Sequence, residues 1–206
     1  NLVDALNAKV GAGTYAVVPD PAFTGTDAIK VAMIYKPSRL TRVGSAVSDT
    51  DAVHNRPPTA QTFAAANGER VTLVVNHLKS KGSCNNSDPD LGQGCWNVKR
   101  TAQATQLRNF LQAQAAVSGP NQLLVGDFNA YAKEDPINLL TGSGYVDEVE
   151  RFHPGAYSYV FDGESGRLDH LLATPAMHAY VVGSAHWHIN ADEQPNADYN
   201  TEDKAP

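Results

Sequence analysis

The chain has 206 residues, 42% of them apolar and 18% charged, with a formal net charge of −6. That length supports a single domain with a sizeable core. The longest apolar runs, such as Val71 to Val75, are too short to cross a bilayer, and a net negative chain is not a general polyanion binder, because phosphate neutralisation needs clustered Lys and Arg.

No repeat, low-complexity tract or linker interrupts residues 1–206, so the sequence reads as one domain. Leu2 to Val10 has the apolar spacing of a helix, stopped by Gly11 and Gly13. Tyr15 to Val18 reads as a short strand, and Ile29 to Tyr35 as a longer one ended by Pro37. Thr59–Ala65 and Arg70–Asn76 flank Asn67-Gly68, a strong hairpin signal because both turn positions accept positive φ. Asn97 to Val117 is the one long helix, with Val98, Ala102, Leu107, Phe110 and Leu111 assigned to its apolar side and Gly119-Pro120 as its stop. Gln122 to Val125 is a short buried strand. Pro136 to Leu140 is a short helix, with Asp135 as its expected N-cap. Tyr157–Phe161 and Arg167–Ala173 are expected to pair through the turn at residues 162–166, and the stretch from Glu193 onward reads as polar loop. Hairpins mixed with a few helices predict a mixed α/β sandwich.

Charge is uneven along the chain. Residues 70–110 hold six basic and two acidic groups, whereas residues 127–206 hold four basic and fourteen acidic. The basic segment is either a phosphate-facing patch or simply a solvated surface. The two cysteines, Cys84 and Cys95, lie in a Gly/Asn/Ser/Asp-rich stretch with no CxxC or His/Cys cluster, which argues against zinc. A disulfide closing this loop would stabilise the fold by about 2–3 kcal/mol and would place the protein outside the cytosol, in the extracellular space or the periplasm. Two free thiols are the alternative.

Three polar clusters follow apolar strands, where α/β folds assemble their sites. In Asn76-His77-Leu78-Lys79-Ser80-Lys81, the His is suited to acid–base work near neutral pH, and the lysines to an anionic substrate. The bland alternative is a His that only caps a loop. In Gly126-Asp127-Phe128-Asn129, a carboxylate and an amide two apart on extended backbone would share one side and could hold a phosphate oxygen or a hard cation. A simple Gly-Asp turn explains the same spacing. In Arg167-Leu168-Asp169-His170, Asp169 is flanked by apolar residues and needs a partner, and a structural pair with Arg167 or His170 would satisfy it.

Taken in order, NHLKSKGSC, GDFNAY and RLDHLLA resemble the endonuclease/exonuclease/phosphatase superfamily, the deoxyribonuclease I-like enzymes. The cysteine loop, WNVKRTAQATQL and WHINADE resemble its bacterial extracellular nucleases in particular. The resemblance covers nearly the whole chain and implies a four-layer α/β sandwich, two packed mixed sheets flanked by helices. It also implies in-line hydrolysis of a nucleic-acid phosphodiester, DNA with RNA as a second substrate, by a monomer aided by Mg2+, Ca2+ or Mn2+.

Carried over residue by residue, His77 would contact the scissile phosphate and protonate the leaving group. Asp127 and Asn129 would orient the attacking water and help hold the metal, and Asp169 would orient a further His. Arg56, Asn76, Lys79 and Arg100 would contact substrate. Two elements of the family pattern do not occur in residues 1–206: an N-terminal strand bearing a metal-binding Glu, and a closing Ser-Asp-His motif. On that basis the sequence reads as an interior stretch truncated at both ends, weak or inert alone. The alternatives are a lipid or inositol phosphodiesterase or phosphatase of the same fold, and a non-catalytic nucleic-acid-binding remnant.

Overall fold

The structure, a computed structural model, describes residues 2–188 together with 191 and 192. In chain order the elements are α1 (Leu2–Val10), β1 (Ala16–Val17), β2 (Ile34–Tyr35), β3 (Leu40–Ser48), β4 (Thr59–Ala65), β5 (Arg70–His77), α2 (Asn97–Ser118), β6 (Gln122–Asp127), α3 (Asp135–Gly142), β7 (Val146–Asp147), α4 (Glu148–Phe152), β8 (Tyr159–Phe161), β9 (Glu164–Gly166), β10 (Asp169–Ala173) and α5 (Pro175–His178). The polar stretch from Glu193 onward lies outside the described residues.

The architecture is the mixed α/β one that the sequence implies. Six strands form one mixed sheet in the order β3-β4-β5-β6-β10-β7, and β1-β2 and β8-β9 form two small sheets. Within the large sheet only β5 and β6 run parallel, and α2 is the crossover that such a pair requires. Strand alternation assigns the two faces. Val74, Leu124 and Leu172 point to one face, where Leu107 and Leu111 of α2 and Ile137 and Leu140 of α3 cover them, all with no exposed surface. Each such side chain contributes about 1.5–3 kcal/mol by leaving water. On the opposite face, Val71, Leu73 and Val75 meet Phe63, Met33 and Val18 beneath β1-β2. Among the described residues that opposite face carries the antiparallel pair β1-β2, in keeping with the sandwich.

Several local expectations need correction. The strand over 29–35 shrinks to Ile34–Tyr35. β3 was not expected, because a bulge between Val43 and Val47, with Gly44 at φ 71°, breaks its alternation. At the Asn67-Gly68 turn only Gly68 takes positive φ, while the Asn67 carboxamide accepts the Glu69 N–H at 3.1 Å. Residues 157–173 do not make one hairpin. β8 pairs with β9 across Asp162-Gly163, and β10 leaves to join the large sheet.

The buried face of α2 is Arg100, Gln103, Ala104, Leu107 and Leu111, whereas Val98 is 66% exposed and Ala102 is exposed too. Polar residues in the buried stripe hid its phase. The α2 N-terminus is capped at a distance by Asp88, whose carboxylate accepts the N–H groups of Val98 (3.2 Å) and Lys99 (2.8 Å). Asp135 does not cap α3: it lies inside the helix, and Glu134 occupies the cap position without a side-chain bond.

Gly126 is the tightest point of the sheet. It sits at φ 128°, and a Cβ there would lie 2.1 Å from the Asn76 carbonyl oxygen. We predict that Gly126→Ala destabilises by more than Gly68→Ala, because the clash adds to the backbone strain. Gly68→Ala, with open space around it, costs only its backbone strain, about 1–2 kcal/mol. Denaturant unfolding of the two variants compares them, and equal losses would contradict the close-approach argument.

Candidate active site

The site is built by strand register. His77 closes β5, Asp127 closes β6 and Asp169 opens β10, and the ladder places His77 opposite Asp127 and Asp127 opposite Asp169. All three lie on the half-exposed face of their strands, so they form one transverse row. Asp127, Asn129 and Asp169 line a cleft of about 660 Å3 together with Ser80, Lys81, Tyr131, Glu134, Tyr159 and Phe161.

Asn129 reaches the row by a different route from the extended backbone expected. It sits at φ 47°, its N–H donates to Asp127 Oδ1 at 2.7 Å, and its Nδ2 donates to the Leu78 carbonyl at 3.0 Å. The strand end therefore curls, and the curl brings the amide back beside the carboxylate.

The electrostatics follow from burial. Loss of water pushes the Asp127 carboxyl up to about 6, the Asn129 N–H and Arg56 oppose this, and the charge of Asp169 adds to it. Burial, helped by the Arg56 charge, also holds the His77 imidazole below its usual value, against Asp27 and Asp169. His77 Nε2 lies 3.4 Å from Asp127 Oδ2, too long to fix a proton between them, so desolvation rather than this pair sets both groups.

The remaining candidates separate into groups. Arg56 donates to the His77 carbonyl at 3.2 Å and to the Leu78 carbonyl, with Asp27 3.7 Å away. It braces the β5 end and lends it positive charge. Lys79 stays at the surface, with its Nζ 5.0 Å above the Trp96 ring. Two candidate substrate contacts are corrected. Arg100 has no exposed surface, and its guanidinium donates to the carbonyls of Lys79, Cys95 and Gln93 at 3.3, 2.6 and 2.9 Å. It pins the cysteine loop to α2. Asn76 is 2% exposed and points to the helix side of the sheet, donating to the Val74 and Val125 carbonyls.

Neither Arg167 nor His170 pairs with the Asp169 carboxylate. Arg167 lies 2.6 Å from Asp147, and the same carboxylate is 3.7 Å from His170, which leaves Asp169 facing the cleft. His186 contacts the Asp169 backbone carbonyl at 3.1 Å, and His188 stacks on Tyr157. Both line a separate hollow beside Tyr157.

Sequence reasoning missed the cleft walls. Lys81 reaches both Glu134 oxygens and the Gln93 carbonyl, each at 2.6 Å, and its Nζ sits 5.0 Å over the Tyr131 ring. Asp90, Gly92 and Gly94, within the loop closed by the Cys84–Cys95 disulfide, line the same wall. The signals available were Lys81, marked above for an anionic substrate but here engaged by Glu134, and Tyr131, two residues beyond Asn129.

A raised carboxyl has a stability consequence. Between about pH 4 and 6 the folded chain binds a proton at Asp127 that the unfolded chain has lost, so stability falls as pH rises through that window. We predict that Asp127→Asn, which keeps an acceptor for the Asn129 N–H, raises the unfolding temperature at pH 8 in chelator, with the gain vanishing below about pH 4. A variant no more stable than the parent at pH 8 would contradict the assignment.

The endonuclease/exonuclease/phosphatase family model matches residues 2–192. No curated protein matches the chain in sequence. Among solved structures, the human nocturnin catalytic domain with bound sulfate anion aligns with a TM-score of 0.59 at 18% identity, over 84% of this chain and 65% of that one. A Bacteroides thetaiotaomicron mannosyl-6-phosphatase aligns with a TM-score of 0.59 at 15% identity, over 85% and 68%. D. rerio TDP2 complexed with single strand DNA product aligns with a TM-score of 0.52 at 19% identity, over 85% and 68%. The chain spans about two thirds of the length of these structures, and at such identities the likeness concerns the fold. With the family matched over almost the whole sequence and its sheet in place, the chain belongs to the endonuclease/exonuclease/phosphatase family.

Proposed function

We propose that this chain carries the catalytic core of a divalent-metal-dependent phosphodiesterase acting on nucleic acid, DNA first and RNA second, from a monomeric secreted or periplasmic enzyme. The family's enzymes hydrolyse phosphoester bonds and generally use divalent metals. The observation that carries the finer reading is the register row His77–Asp127–Asp169, of which Asp127 and Asp169 line one cleft. The Cys84–Cys95 disulfide supports the oxidising compartment. TDP2 in its single-strand DNA complex supports the nucleic-acid substrate by analogy of fold.

The oxygen donors suit a hard cation. Asp127 and Asp169 face each other across the ladder, and the charge of one raises the other, a repulsion that a cation relieves. Among the described residues no three His, Cys, Asp or Glu converge as a ligand set. Asp127 and Asn129 would therefore hold Mg2+ or Ca2+ with water and substrate phosphate completing the shell, as is usual for Mg2+. The ion supplies charge neutralisation at the phosphate oxygens. Asp127 would orient the attacking water and accept its proton. The Asn129 backbone N–H holds that carboxylate in place. His77 lies beside it to contact the phosphate and hand a proton to the leaving oxygen.

Plasmid nicking tests the proposal, with the 206-residue chain and a version extended into its parent's flanking sequence, in Mg2+ plus Ca2+ and in chelator. We expect metal-dependent nicking by the extended chain, reduced at least about 100-fold by His77→Ala, and little or none by the short chain. Hydrolysis of a lipid phosphodiester with no nicking would replace the nucleic-acid reading by the lipid one.

A further inference from the structure

Three aromatic side chains form one wall of the cleft, and the chemistry of the row below does not use them. Tyr159 and Phe161 are two apart on β8, so both project to one face of the small β8-β9 sheet. Their rings lie within 10° of parallel, 6.3 Å apart between centroids. Tyr159 is 42% and Phe161 58% exposed, and both line the cleft that holds Asp127, Asn129 and Asp169. Tyr131 completes the wall. A Cβ on Gly166 would lie 2.4 Å from the Tyr131 ring, so the ring rests directly on β9, and Gly166 is the residue paired with Tyr159. From above, Lys81 holds the same ring, itself locked by both oxygens of Glu134. The wall is therefore braced from behind by Tyr131, and Tyr159 and Phe161 stay partly exposed in the cleft that Asp127 and Asp169 also line.

We propose that Tyr159 and Phe161, backed by Tyr131, form a stacking platform for the nucleobase flanking the scissile phosphodiester, so that the enzyme takes single-stranded or locally unpaired nucleic acid with little regard to sequence. The inference rests on the nucleic-acid reading above and names the form of the substrate. Flat aromatic faces accept any base, because every base has a π-face, whereas a base inside a duplex offers only its edge. Charge sets the orientation. Tyr131 and Phe161 also border a second hollow, lined by Asp162, Glu164 and Ser165, and its two carboxylates repel backbone phosphates. The sugar-phosphate chain is thus kept to the Lys79–Ser80 side, and the base turns toward the rings. The platform also separates substrates: a small phosphomonoester could reach the row without touching it, whereas a polynucleotide could not.

Binding in chelator, where no cleavage occurs, tests this by fluorescence anisotropy with two labelled probes. One is a single-stranded thymidine oligomer. The other has the same length and the same phosphodiesters, with every base replaced by an abasic tetrahydrofuran residue. The platform predicts that the parent protein binds the base-bearing oligomer at least about fivefold more tightly than the abasic one. Tyr159→Ala and Phe161→Ala abolish that difference, while Tyr159→Phe and Phe161→Tyr retain it. Both side chains are exposed, so the alanine variants should keep the parent's circular dichroism, and the aromatic exchanges serve as a second check on folding. Equal affinity of the parent for the two probes would overturn the platform and leave the nucleic-acid proposal standing, with the rings facing sugars instead. Alanine variants that weaken both probes alike would also overturn it. Binding of neither probe, together with no plasmid nicking by the extended chain, would sink the nucleic-acid reading and the platform with it.

Discussion

The close approach of β5 and β6 at Gly126 governs the rest of the molecule. These two parallel strands carry the two strand ends that matter, His77 and Asp127, in direct register. They can do so only because the residue opposite Asn76 has no side chain and takes a φ of 128°. From that point Asp127 is set at the C-terminal end of β6, Asn129 curls back over it, and β10 docks antiparallel to deliver Asp169 alongside. A slip of one residue in either pairing would send the row to the helix-covered face, where Asn76 already lies buried.

The position of this row also explains its chemistry. A carboxylate with its water partly stripped, beside a second carboxylate and within reach of a neutral-leaning imidazole, is poorly arranged for stability and well arranged for proton transfer and for attracting a cation. The surrounding fold compensates through bonds that do not involve the reacting groups. Arg56 ties the carbonyls of His77 and Leu78, Arg167 pairs with Asp147 rather than Asp169, with the His170 ring 3.7 Å from the same carboxylate, and Arg100 anchors the cysteine loop through backbone carbonyls. Cations near the row thus serve as scaffold as well as candidate ligand binders.

That division shows what the sequence made legible. His77, Asp127 and Asp169 stand out because each follows or opens an apolar strand, and strand alternation alone fixes which face they take. Arg100 misleads for a physical reason. A guanidinium on an apparently polar helix face looks solvent-facing, and only the fold reveals three carbonyls converging to bury it. The α2 stripe misleads in the same way, since Gln103 is buried by donating to Val53 and Asn55. The aromatic wall could not be read at all. Tyr131 and Phe161 are thirty positions apart, and nothing local says that Gly166 will let one ring rest beside the other.

The most direct measurement of whether the three strand ends share one electrostatic site is an NMR titration of the His77 imidazole and the Asp127 carboxyl, in the parent chain and in Asp169→Asn, in chelator. Asp169 contributes negative charge that raises both groups, so the account predicts that both titrate at lower pH in the variant, Asp127 moving down from about 6. If neither group moves, Asp169 does not face the cleft and the row is not a unit.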